Sequence, residues 1–192
     1  MPAKVTGSTS PRERLLMAAD ELFYAEGVHS VGIDRVIEHA GVAKATLYNA
    51  YGSKDELVRA YLSRRQEARQ ARVARKLEGL HSPRERLLAI FDALGDAIAQ
   101  PDFRGCAFVN ASAELAPGSR AGEVCDSSRA WLRTLFRDLA REAGATDPDH
   151  LARQFVLLYD GASVAALTDH DLAAAGAARD VAATLVDAAT GR

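Results

Sequence analysis

Lysine, threonine, tyrosine and asparagine gather at Lys44, Thr46, Tyr48 and Asn49, with Ala45 among them and Lys54 shortly after. On the outward face of one helix this set suits a polyanionic duplex. An ammonium and a phenol hold phosphates, while threonine and asparagine read base edges in a groove wide enough for a helix. The surroundings supply the mounting, because Gly32 to Tyr51 reads as two short helices, 33–40 and 44–50, joined through Gly41-Val42. Glycine makes the turn, Val36, Ile37 and Ala40 pack the first helix inward, and Val42 and Leu47 pin the second at a steep angle. This is helix-turn-helix geometry. Ser53 and Lys54 then open the next helix, whose free N–H groups and positive dipole end would clamp a phosphate whatever the sequence. The plainer readings are a surface lysine at Lys44 and a Tyr48 that closes a small core; Tyr51 is read as core.

Charge and composition narrow the other possibilities. The 192 residues allow one domain or two small ones, and 48% hydrophobic with 26% charged content excludes wholesale disorder and a disulfide-rich secreted scaffold. A net charge of −2 excludes a uniformly basic coat protein, yet residues 1–80 hold 13 Lys/Arg against 10 Asp/Glu, and the remainder 11 against 16. The front part therefore tolerates a polyanion better than the back. Cys106 and Cys125 form no C-x-x-C, so no disulfide is expected, and the apolar Ala107-Phe108-Val109 beside Cys106 favours an inert, buried thiol. The five histidines are scattered, Asp169-His170-Asp171 diverges along the chain, and no nucleophile elbow, phosphate loop or H-E-x-x-H occurs. No catalytic residue, metal or cofactor is expected. Without a signal peptide or an 18-residue apolar run, the chain reads as soluble and cytoplasmic, with no membrane contact.

Helical periodicity runs from end to end, which predicts an all-α protein of about nine helices. Ser10-Pro11-Arg12-Glu13 announces the first, with Ser10 capping, Pro11 at the tolerated position and Glu13 reaching back; Gly27 closes it, so it spans about 11–26. The same S-P-R-E-R-L-L recurs at Ser82–Leu88, as repeated helix-start chemistry and not a solenoid unit. Further helices are expected at about 53–79, 83–100, 106–116, 121–143, 149–168 and 172–189. The first of these is a connecting helix. Its Arg59, Arg64, Arg65, Arg69, Arg72, Arg75 and Lys76 read as a solvated basic face.

The stretch A-G-V-A-K-A-T-L-Y-N-A-Y-G-S-K-D-E-L, from Ala40 to Leu57, after a helix ending in Phe23–Gly27, resembles the N-terminal domain of the TetR family of transcriptional repressors. The likeness covers about residues 10–62. It implies a flexible arm at 1–9, a three-helix DNA-binding domain at 10–53, and a helical ligand-binding and dimerisation domain at 54–192. It also implies a homodimer on a palindromic operator, with Lys44, Ala45, Thr46 and Tyr48 on DNA, Asn49 facing bases, Lys54 on a phosphate, and release by a small molecule. Ala43, Ala45, Val31 and Asn49-Ala50 depart from the family pattern, and each loses a possible phosphate contact. Either Lys4, Arg12 or Arg35 assists, or binding has a shallower salt dependence.

In the back part, Phe103, Phe108, Trp131, Phe155 and Tyr159 mix with Asn110 and Glu114, the composition of an apolar pocket with polar anchors, although such stripes also build plain cores. The effector would be largely apolar. Phe155, Leu158, Gly161, Ala162 and Ala165, with Val181 and Leu185, offer a surface of small residues for a four-helix dimer contact. Two rival functions are a small helical enzyme using Asp160, Glu114 or His170, and a helix-turn-helix that contacts protein.

Overall fold

The computed structural model describes residues 9–191, and within them nine α-helices and no strand. They are α1 (Pro11–Glu26), α2 (Ile33–Ala40), α3 (Lys44–Tyr51), α4 (Lys54–Leu77), α5 (Pro83–Ile98), α6 (Ala107–Glu114), α7 (Arg120–Glu142), α8 (Pro148–Thr168) and α9 (Ala174–Thr190). The all-α expectation holds. Of the arm at 1–9 only Thr9 is described, and Lys4 lies outside the described residues.

Local chemistry sets the helix starts. Ser10 Oγ accepts from the Glu13 N–H at 3.1 Å, Ser53 Oγ from Glu56 at 3.1 Å, and Asp147 Oδ1 from His150 at 2.9 Å, each satisfying a donor that the first turn leaves open. The repeated S-P-R-E pair behaves alike, since Ser82 also accepts from Glu85. Glu13 does not reach back to its cap as expected; its carboxylate accepts Arg64 Nη1 and thereby ties α1 to α4.

Two apolar clusters hold the chain. One joins Leu15, Leu22 and Phe23 of α1 to Val36, Leu47, Leu57 and Tyr61, and continues through Phe108 and Ala111 of α6 to Ala121 and Cys125 of α7. The helix-turn-helix thus rests on α1 and the start of α4, and α6 and α7 pack on α4 in turn. The other cluster occupies α5, α7, α8 and α9 around Phe91, Phe136, Phe155 and Tyr159, whose ring centroids lie 5.4 to 6.5 Å apart. Edge-on and tilted rings at that range add attraction beyond their buried area.

Candidate nucleic-acid interface and cavity

The turn between α2 and α3 is made by Gly41 at φ 61°, ψ 45°, a left-handed conformation that costs glycine little; its N–H donates to Glu38 O, and Val42 N to Ile37 O. Val36 and Leu47 are fully buried, so α3 is nailed down from behind by one leucine. Opposite Leu47, Lys44, Ala45, Tyr48 and Asn49 are exposed and Thr46 is half-buried. Lys44, Ala45, Tyr48 and Asn49 therefore form one outward face, with Thr46 at its margin. Ala43 supplies no side-chain cap to α3; its carbonyl accepts the Thr46 N–H at 2.9 Å, which leaves the Lys44 and Ala45 N–H groups open to water or a phosphate.

Charge on this face is partly spoken for. Lys44 Nζ lies 2.9 Å from Asp34 Oδ1, and that hydrogen bond holds the ammonium above its usual pKa. Asp34 itself, 83% exposed, places a carboxylate where phosphates would approach. Asp34→Asn should therefore tighten binding to every duplex by about two- to fivefold and steepen its salt dependence, measured by anisotropy at two salt concentrations. No change would mean that Asp34 stays clear of the duplex. Of the helpers expected, Arg35 is committed to Glu26, with Nη2 2.7 Å from Oε1, whereas Arg12 lies exposed with its guanidinium 5.0 Å from the Tyr51 ring centroid. Tyr51 is half-buried and donates its hydroxyl to the Arg12 carbonyl at 3.0 Å. Among the described residues no carboxylate pairs with Arg12.

Lys54 stands at the first position of α4 with Nζ 6.0 Å from the Phe23 ring centroid, and no carboxylate pairs with it among the described residues. Ser53 is already occupied as a cap. Glu56, in the same turn, accepts from Arg59 and from Arg120 of α7, and the two guanidinium groups hold its carboxyl below the usual range.

A cavity of about 680 Å³ opens between α1, α4, α5, the α5–α6 loop, α6 and α8. Phe103, Phe108 and Tyr159 line it, but Asn110, Glu114, Trp131 and Phe155, expected there, do not. Phe155 is wholly enclosed in the aromatic core. Asn110 donates to the Arg104 carbonyl at 2.9 Å, and Glu114 accepts the His29 N–H at 2.6 Å while filling the space beside Gly27. Both tie α6 to neighbouring loops. Trp131 instead sits over Arg69, 5.1 Å from its guanidinium carbon.

The connecting helix differs most from expectation. Its arginines are only partly a solvated face: Arg59 and Arg75 are exposed, but Arg64 and Arg65 pair with Glu13 and Asp20 of α1, and Arg69 is buried, donating to Ser128 O and Oγ at 2.7 and 2.6 Å. Arg65, Arg69, Arg72 and Arg75 all border the cavity. The signal was helical phase, since Arg65, Arg69 and Arg72 continue the line of buried Tyr61. Cys106 also borders the cavity and is half-buried, not enclosed as expected, whereas burial raises the Cys125 thiol.

On the outer surface, Phe155 and Ala162 are buried within the subunit and cannot meet a second chain. Gly161 is exposed, Leu158, Ala165 and Leu185 are half-buried, and Val181 is exposed. Leu157 and Val164 of α8, which the sequence reading passed over, are 70% and 54% exposed.

A buried-backed recognition helix following a glycine turn defines a helix-turn-helix DNA-binding regulator. Residues 15–61 match the pattern of the bacterial regulatory proteins of the tetR family. A TetR-family transcriptional regulator of Streptomyces coelicolor is 32% identical and superposes with a TM-score of 0.89, over 94% of this chain and 96% of that one. A TetR-type regulator structure from Streptomyces avermitilis is 40% identical at a TM-score of 0.82, over 94% and 98%. The transcriptional activator FasR of Mycolicibacterium smegmatis is 30% identical over 72% of this chain, and the match spans 64% of its own length. The chain belongs to the TetR family of transcriptional regulators. Among the described residues no group of acidic, His or Cys side chains could hold a metal, and no helix is long and apolar enough to cross a membrane.

Proposed function

We propose that the protein is a homodimeric repressor that reads a palindromic operator through α3 and is released by a small molecule in the cavity. It would act on chromosomal DNA in the cytoplasm. The observation that carries this reading is the disposition of α3: Leu47 fully buried, and Lys44, Ala45, Tyr48 and Asn49 opposite it in solvent. Two such helices about one turn of duplex apart, roughly 34–36 Å, would enter successive major grooves. Bound across a promoter, such a dimer would repress by occluding it.

The cavity supports release because it touches both parts of the molecule. Tyr24 of α1 lines it, donates to Gly105 O at 2.9 Å and accepts from Arg104 N at 2.8 Å. A ligand that favours one placement of α4 and α1 shifts the separation of the two α3 helices, and a hundredfold change in operator affinity needs about 2.7 kcal/mol of such preference.

The test selects an operator from a random duplex library and then compares variants by anisotropy. Lys54→Ala should weaken all sequences alike and reduce the salt slope by about one, whereas Asn49→Ala should relax preference at one position per half-site by about 1–3 kcal/mol. Wild-type binding by both variants would sink the contact assignment.

A further inference from the structure

We infer that the cavity takes an organic anion, a carboxylate or phosphate monoester on an apolar body, gripped by the arginines of α4. This rests on the proposed ligand response and adds the chemical class of the ligand.

The wall carries Arg65, Arg69, Arg72 and Arg75 against two carboxylates, Asp96 and Asp102. Arg65 is neutralised by Asp20, with Nε and Nη2 on its two oxygens at 2.7 and 2.9 Å, and Asp96 is neutralised by Lys76 at 2.9 Å. Removing both pairs leaves the charges of Arg69, Arg72 and the exposed Arg75 against that of Asp102 alone. Among the described residues none of those three arginines has a carboxylate within ion-pair distance, and the buried Nε of both Arg69 and Arg72 lacks any acceptor. Donors left open in a buried charged group are costly. Like charges three residues apart on one helix add repulsion.

An anion removes both costs. Arg69 is ready for one: it is 8% exposed, its guanidinium carbon lies 4.8 Å from the Phe108 ring centroid and 5.1 Å from that of Trp131, and Ser128 holds Nη2. A guanidinium plane fixed in this way presents a fork that matches carboxylate and phosphate oxygens. Tyr159, whose hydroxyl burial pushes above its usual pKa, borders the same space. Leu94, Ala97, Phe103 and Phe108 supply apolar wall for the body of the ligand. A cation would meet three arginines, and a neutral oxygen could accept from an Nε but would leave the positive charge of the three uncompensated.

The grip also lies on the lever. Arg65 and Arg64, one turn and more toward the DNA-binding end of α4, hold α1 through Asp20 and Glu13. An anion drawn to Arg69 and Arg72 pulls on the helix whose first turn carries Lys54.

The experiment titrates the full-length protein, bound to its selected operator, with octanoate, octyl phosphate, octanol and octylamine, following both operator release and direct binding by calorimetry. Either anion should bind at least tenfold tighter than octanol, with octylamine weakest, and Arg72→Gln or Arg75→Gln should abolish most of that preference while melting as wild type does. The better of the two anions identifies the head group. Equal or better binding of octanol or octylamine, or a charge preference that survives both substitutions, overturns the anion assignment and leaves ligand response standing. Binding by none of the four overturns the assignment too, and if a broad compound screen also leaves the operator bound, the ligand-response reading falls with it.

Discussion

Val164→Glu should leave a folded monomer that binds a palindromic operator about 10²- to 10⁴-fold more weakly than the wild type, the usual gain from linking two binding events. Leu157, Gly161 and Val164 lie one helical turn apart along α8, and all three are exposed. Val181 of α9 is 48% exposed, and a Cβ built on Gly161 meets nothing within 4 Å. An outward stripe of large apolar side chains is unusual on a monomer and fits a buried contact. Across a two-fold axis each glutamate would lie near its own copy, so an unpaired charge would be buried beside a like one. Within the monomer the same residue faces water, where substitutions usually move stability by less than about 0.5 kcal/mol. Sedimentation should report the halved mass and anisotropy the lost operator affinity. A variant that remained dimeric would place the contact elsewhere.

What could be read from the sequence alone divides along a physical line. The ends of α1, α2 and α4 are written in residues adjacent to them, Ser10-Pro11, Gly41 and Ser53, whose caps and left-handed turn act within four positions. The outward face of α3 followed from one buried leucine and the period of the helix. The cavity wall was less legible, because it is assembled from α1, α4, α5, α6 and α8 at once. Arg69 looked solvated since nothing nearby in sequence announces Phe108, Trp131 or Ser128 as its surroundings. On α8 the expected outer surface mixes the two sides, since Phe155 and Ala162 face inward while Gly161 faces out. Both sides of that helix are apolar, with Phe155, Tyr159 and Ala162 inside and Leu157 and Val164 outside, so hydrophobicity could not say which side faced the core. Glu114 shows the same limit, because its partner His29 belongs to the loop before α2.

Phe136→Ala should destabilise the protein by about 3–5 kcal/mol, the usual result of emptying a buried phenylalanine site. Phe136 is fully buried on α7, and its ring centroid lies 5.7 Å from Phe91, 5.4 Å from Phe155 and 6.5 Å from Tyr159. Those rings come from α5 and α8, so one side chain joins three helices and the void cannot close without moving them. For a chain of this size each kcal/mol corresponds to about 2–4 °C, so the melting temperature should fall by roughly 6–20 °C. Urea unfolding at matched protomer concentration measures the change directly, since dimerisation would make apparent stability depend on concentration. Function should be hit unevenly. Tyr159 belongs to this ring cluster and also borders the cavity, whereas Leu47 and Val36 belong to the other cluster. Below its unfolding range the variant should lose ligand affinity before it loses operator affinity. A loss under about 1 kcal/mol would show that α5, α7 and α8 repack around the gap.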